Sequence, residues 1–312
     1  MDTNPGDTPS RRFADLHRPG LPFVLPTTWD YALGALLAAE GFPAVGTTSL
    51  GLAAVAGYAD GDAVGVDGTV ELARRLCGLA ALVSVDIADG FSEVPERVAD
   101  LVERLAAYGV VGVNIEDGRN GGALADVGRQ CALIGAVKAR TPDVFVNARV
   151  DTHWLQDRPG PLAETLERAT AYAGSGADGI FVPGLVDAGV VEAVVGAVSA
   201  PLNVLFQPGG RTVRRLGELG VARVSLGSLL YRSAVRAAFD TACAADESGR
   251  EEGRGGSGAV RAVGAVGGGP VPGYSDIAAL LPGVPSAGAA TGAGAGAATG
   301  AATGAATGSG KH

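Results

Sequence analysis

Residues Leu82 to Gly118 read LVSVDIADGFSEVPERVADLVERLAAYGVVGVNIEDG. Two short apolar runs, Leu82 to Val85 and Val110 to Ile115, each end in carboxylates and are separated by one amphipathic helix pattern, the signature of a βαβ unit. Acid therefore stands at the carboxyl end of two successive strands. In a parallel α/β fold ligands bind at that end, so Asp86 and Glu116 are expected to share one pocket. A pair of hard oxygen ligands there suggests Mg²⁺ or Mn²⁺.

The same alternation continues outward on both sides. Before this unit lie strand patterns at Phe23 to Leu25 and Ala44 to Thr48. A helix over Trp29 to Glu40 is capped by Thr28 and closed by Gly41, and a second runs over Thr69 to Leu79. Ser49 to Gly61 reads as a loop of small residues with Asp60 near its end. After the unit come strands at Val144 to Arg149, Gly179 to Val182, Leu202 to Phe206 and Arg223 to Leu226, spaced by helix patterns and followed by a helix over Ser228 to Ala245. Eight strands alternating with eight helices predict an α/β fold, a parallel (β/α)8 TIM barrel over residues 19–248. An open doubly wound sheet is the alternative, but the first βα turn lacks GxGxxG.

Residues 1–18 are polar with Pro5 and Pro9, and read as a flexible segment leading into a short helix near Phe13 to Leu16. Residues 249–282 read as a linker with one short docking helix at Tyr274 to Leu281. Residues 283–312 repeat Ala, Gly and Thr and are expected to be disordered, because they lack the large apolar side chains that offset ordering entropy.

Composition narrows the function classes. Of 312 residues, 47% are hydrophobic and 18% charged, in the short Val/Ala/Leu runs that suit strands covered on both faces. A net charge of −9 argues against a nucleic-acid partner, which needs a basic face. Cys77, Cys131 and Cys243 fall in helix patterns without CxxC spacing and read as reduced thiols of a cytoplasmic protein. No signal sequence or bilayer-length apolar span is seen, so no membrane partner is expected. Three histidines, one of them terminal, count against a His/Cys zinc site.

Arg149 ends the fifth strand, in NARVD, and adds a cation to the acidic rim. A guanidinium there holds a carboxylate bidentately, stabilises an oxyanion, or pairs with a neighbouring acid. His153 and Trp154 follow at the expected pocket mouth.

The order of FVLPTTWDYALGALLAAEGFPAVGTTSLGLAAVAGYADG, VSVDIADGF, GVNIEDG, FVNARVD, ADGIFVPG and PLNVLF resembles the isocitrate lyase and phosphoenolpyruvate mutase superfamily. The resemblance implies a (β/α)8 barrel, a homo-oligomer (tetramer or dimer) that exchanges terminal helices, bound Mg²⁺, and a small 2-oxo-acid or enolate substrate. By position it implies that Thr48, Ser49 and Leu50 offer backbone amides to the substrate carboxylate. Asp60 would close that loop as an acid/base group, Asp86 would anchor the metal with Glu116 linked to it, Arg149 would hold the substrate, and Asn203 would line the pocket.

Two departures bear on the activity. The family's DxD after the third strand is here Asp86-Ile87-Ala88, with Asp89 one residue late. The KxCG segment that follows the IED motif in the lyase branches is absent, and Cys131 is no substitute; Arg119 and Asn120 are the nearest counterparts of the mutase loop's lysine and asparagine. Isocitrate and methylisocitrate cleavage are thereby disfavoured. The expectation is a Mg²⁺-dependent lyase or hydrolase of the C–C or P–C bond of a small oxaloacetate-like di-acid, with a non-catalytic metabolite-binding barrel or a phosphonomutase as alternatives.

Overall fold

In the computed structural model, which describes residues 7–62, 65–119, 122–155 and 160–252, the alternating pattern closes on itself. Strand β1 is two pieces, Phe23–Leu25 and Thr27–Thr28, parted by Pro26, which has no N–H to give to a ladder. Its first piece pairs in parallel with β8 (Arg223–Ser225) and its second with β2 (Ala44–Thr47). Between them run β3 (Leu82–Asp86), β4 (Gly112–Glu116), β5 (Phe145–Arg149), β6 (Gly179–Val182) and β7 (Leu202–Leu205), each parallel to its neighbours. The predicted TIM barrel is the fold observed.

Side chains alternate across each strand, and the alternation sorts them by chemistry. Val83, Val85, Val113, Ile115, Val146, Ala148, Ile180 and Val182 face outward into one apolar core against the surrounding helices. The opposite parity is polar: Ser84 and Asp86, Asn114 and Glu116, Asn147 and Arg149, Arg223 and Ser225. In register, Asp86 stands beside Asn114 and Glu116 beside Arg149.

The amino end of the barrel is plugged. Thr8 caps helix α1 (Pro9–Asp15), accepting from the Arg11 amide at 3.2 Å, and Pro9 opens its first turn. Phe13 is fully buried, edge-on to Phe145 with ring centroids 5.6 Å apart. It fills the space that Gly112 leaves, where a Cβ would stand 2.7 Å from the Phe13 ring. The short helix expected near Phe13 to Leu16 is α1, which begins earlier, at Pro9, and is held by an aromatic contact.

Two other expectations change. Helix α2 (Tyr31–Ala39) is capped by Asp30, whose Oδ1 accepts from the Leu33 amide at 2.8 Å; Thr28 is still in the sheet, and its hydroxyl donates to the Asp30 carbonyl at 2.7 Å. The expected small-residue loop begins as helix α3 (Ser49–Ala56), closed by Gly57 at φ 76°. Helices α4 (Gly65–Leu76), α5 (Pro95–Ala107), α6 (Val127–Arg140), α7 (Leu162–Gly174), α8 (Ala188–Ala197), α9 (Val213–Glu218) and α10 (Leu229–Glu252) complete the outer ring. The predicted docking helix at Tyr274 to Leu281 and the tail lie outside the described residues, and no helix among the described residues is long and apolar enough to cross a membrane.

Candidate active site

The carboxyl ends of the strands open into a pocket bounded by Thr48, Ser49, Leu50, Asp60, Asp86 and Arg149, with Asn114 and Ser225 on its floor. Six of the eight predicted site residues therefore meet. Asp86 is held by backbone: its Oδ2 accepts from the Ser49 amide at 3.2 Å, its Oδ1 from the Ala88 amide at 3.3 Å, and its own N–H donates to Thr47 Oγ1 at 2.9 Å. Ser49 is the first residue of α3, so the carboxylate sits against the positive end of that helix. The Thr48 amide bonds the Thr28 carbonyl at 3.2 Å. Of the three expected carboxylate-binding amides, only that of Leu50 has no acceptor among the described residues.

Glu116 and Asn203 are not among the residues that line the pocket. Glu116 points along the rim to Arg149, with Oε2 2.6 Å from Nη1. Asn203 is buried one layer below the pocket, where its amide donates to Ser225 Oγ at 3.0 Å. His153, expected at the mouth, turns away to Thr165 Oγ1 at 3.1 Å, and burial lowers its pKa; Trp154 does line the pocket. Asp89 does not stand in for the missing acid at Ala88. Its Oδ1 accepts from the Phe91 amide at 3.0 Å and its Oδ2 lies 3.9 Å from Arg119 Nε, while Ala88 itself is buried at a left-handed φ of 49°.

Sequence reasoning missed Asp151. It follows β5 in a single 3₁₀ turn and is fully buried, with Oδ1 2.6 Å from Arg149 Nε. Its amide donates to Asp117 Oδ1 at 2.8 Å, and Asp117 Oδ2 accepts from Tyr172 Oη at 2.7 Å and Arg168 Nη1 at 3.2 Å. Two carboxylates thus grip Arg149 on Nε and Nη1, and the rings of Trp154 and Phe181 flank its guanidinium at 5.8 and 5.9 Å. The NARVD motif carried the signal, an acid two residues past a rim arginine.

Burial raises the pKa of Glu116 well above the usual carboxylate range; Arg149 opposes this, while Asp151, Asp86 and Asp60 add to it. Burial likewise holds Asp151 up at about 6 against the pull of Arg149. Burial works against the charge of Arg149, but Asp151, Glu116 and Asp86 outweigh it and raise its pKa. The pocket sets buried acids around the clamped Arg149, and a second arginine, Arg232, also lines it.

A divalent cation fits this donor set in one manner. No group of three or more metal-ligating side chains converges among the described residues, so no all-protein cage exists there. Asp86 and Asp60 both line the pocket. Mg²⁺ ordinarily takes one or two carboxylates and completes its shell with water and substrate oxygens, and these residues suit that arrangement.

The sequence pattern of the phosphoenolpyruvate phosphomutase family matches residues 13–245. The chain belongs to that family. An uncharacterized protein of Mycobacterium tuberculosis H37Rv is 43% identical to this phosphomutase-family chain over 235 residues, 75% of this chain and 89% of that one. A crystal structure from Burkholderia cenocepacia J2315 superposes with TM-score 0.69 at 34% identity, covering 72% of this chain and 94% of the other. An oxaloacetate decarboxylase of Pseudomonas fluorescens SBW25 is 30% identical over 183 residues, 55% of this chain and 62% of that enzyme. The family is one of lyases and mutases, as the motif order implied.

Proposed function

We propose that this phosphomutase-family protein is a Mg²⁺-dependent lyase or hydrolase of a small 2-oxo or 2-hydroxy di-acid, breaking a C–C or P–C bond, with oxaloacetate-like compounds as its substrate class. The observation that supports this is the convergence of Asp86, Asp60, Arg149 and the Leu50 amide on one pocket that no cysteine or histidine lines among the described residues. Breaking a bond next to a 2-oxo group leaves its electron pair as an enolate, which needs electrostatic stabilisation more than a thiol acid. The similarity to an oxaloacetate decarboxylase points to the same substrate class.

In this reading Asp86 would hold the cation, which would supply Lewis-acid polarisation of the 2-oxo oxygen. Arg149 presents its free edge to a substrate carboxylate, oriented by Asp151 and Glu116. The Leu50 amide at the α3 N-terminus binds the second carboxylate. Trp154 and Phe181 keep water from the guanidinium, which strengthens its hold on an anion. Asp60 moves the proton.

Ala88 and the diverted Asp89 favour a second reading, a barrel that binds the acid without converting it. ¹H NMR on the full-length chain with Mg²⁺ and a panel of oxaloacetate, phosphonopyruvate and substituted malates separates the two. Pyruvate from oxaloacetate identifies decarboxylation, acetate identifies hydrolysis, and ligand line broadening without products supports the binding protein.

A further inference from the structure

Below the rim lies a layer that the proposed chemistry leaves unused. Arg223 on β8 is fully buried on the barrel axis and touches no carboxylate among the described residues. Its Nε donates to Ser225 Oγ at 2.9 Å and its Nη2 to Asn114 Oδ1 at 3.2 Å, while Nη1 is buried without a partner. An unpaired guanidinium nitrogen in a barrel interior costs stability, so packing alone does not account for the residue.

The contact to Asn114 carries information about orientation. A guanidinium can only donate, so the Asn114 atom facing Arg223 is the oxygen. Asn147 Nδ2 donates to the same oxygen at 2.8 Å. Both donors hold the Asn114 amide by its acceptor, and Asn114 lines the pocket, with no described residue accepting from its Nδ2. Its two N–H groups are therefore the available polar atoms of the floor, polarised by a buried cation behind them.

We propose that Asn114 donates to an anionic oxygen of the bound oxo-acid, and that Arg223 is the positioning residue that fixes and polarises this donor from below. The proposal rests on the oxo-acid reading of the pocket. Burial also drives the Arg223 pKa down to about 9, with only the charge of Asp86 opposing it, so an anion above the floor relieves an uncompensated charge.

The test uses oxalate, a planar di-anion, titrated calorimetrically into the full-length chain with Mg²⁺, with thermal unfolding as a check of folding. Asn114→Ala and Arg223→Met are each expected to weaken oxalate binding by roughly tenfold or more, the loss of one charge-assisted hydrogen bond. In the double variant the losses should not multiply, because Arg223 acts through Asn114; a merely structural role for Arg223 would give multiplying losses. Asn114→Asp, which keeps the shape and can pair with Arg223, should lose oxalate binding while staying folded, and it carries the test if Arg223→Met does not fold. Oxalate binding by Asn114→Asp within twofold of the parent, or multiplying losses, would overturn the proposal alone. No oxalate binding by the parent chain would overturn the pocket reading and this proposal with it.

Discussion

Asp151 Oδ1 lies 2.6 Å from Arg149 Nε, and Asp151 is fully buried while Arg149 lines the pocket. The acid stands behind the cation and fixes its plane, and Asp117 in turn fixes Asp151. A carboxylate so placed is poor for stability. Burial holds its pKa at about 6, against 3.8 for an ordinary aspartate, so between those values the folded chain keeps a proton that the unfolded chain has lost. This group therefore makes stability fall as pH rises from about 4 to about 6, with no further change above. Asp151→Asn is expected to flatten that part of the stability profile in thermal unfolding and to lose no stability at pH 7. The same variant should lower kcat/KM by roughly tenfold or more, because Arg149 is held less rigidly.

His17 predicts the opposite slope. It is buried against Phe145 with ring centroids 4.0 Å apart, and its Nδ1 donates to the Phe13 carbonyl at 3.0 Å. Burial first, and the charge of Arg223 second, lower its pKa from 6.5 to about 3. The unfolded chain takes a proton below 6.5 that the folded chain refuses, so this contribution is complete above pH 6.5 and is lost as pH falls toward 3. The loss is on the order of 5 kcal/mol. His17→Leu should shift the acid-unfolding midpoint to lower pH, which circular dichroism during an acid titration will show.

Phe13→Ala should destabilise the chain by about 3–5 kcal/mol, because it empties the plug at the amino end of the barrel and leaves a cavity above Gly112. Urea unfolding followed by fluorescence measures the loss directly.

Asp89→Ala should leave Mg²⁺ affinity within about twofold of the parent chain, since Asp89 serves the Phe91 turn and Arg119 and not the pocket. Isothermal calorimetry with Mg²⁺ alone is the check. A large loss would return Asp89 to the metal site.

The barrel was legible because strands covered on both faces show as apolar runs, and every such run from Phe23 to Leu226 became a barrel strand. Asp86 and Arg149 were legible for a related reason: a charge at the end of an apolar run marks the rim. Interior polarity was hidden. Asn114 and Arg223 sit within strands whose outward neighbours are valine and isoleucine, and only the closed register shows that their parity faces the axis. Phe13 was hidden because one aromatic residue in a polar segment reveals its partner only when Phe145 and Gly112 are seen below it. Glu116 was placed on the correct rim, but its ion pair with Arg149 depends on side-chain direction, which periodicity does not encode. Thr28 lost the helix cap to Asp30 because strand pairing with β2 outweighed a local preference.

The most direct test follows oxaloacetate by ¹H NMR with Mg²⁺ in the presence of the full-length chain and of Asp86→Ala, alongside a metal-only control and circular dichroism of both proteins. The expected result is conversion well above the control by the parent chain, falling to the control rate in a folded Asp86→Ala. Full activity in Asp86→Ala would contradict the role of Asp86 as the anchor of the site.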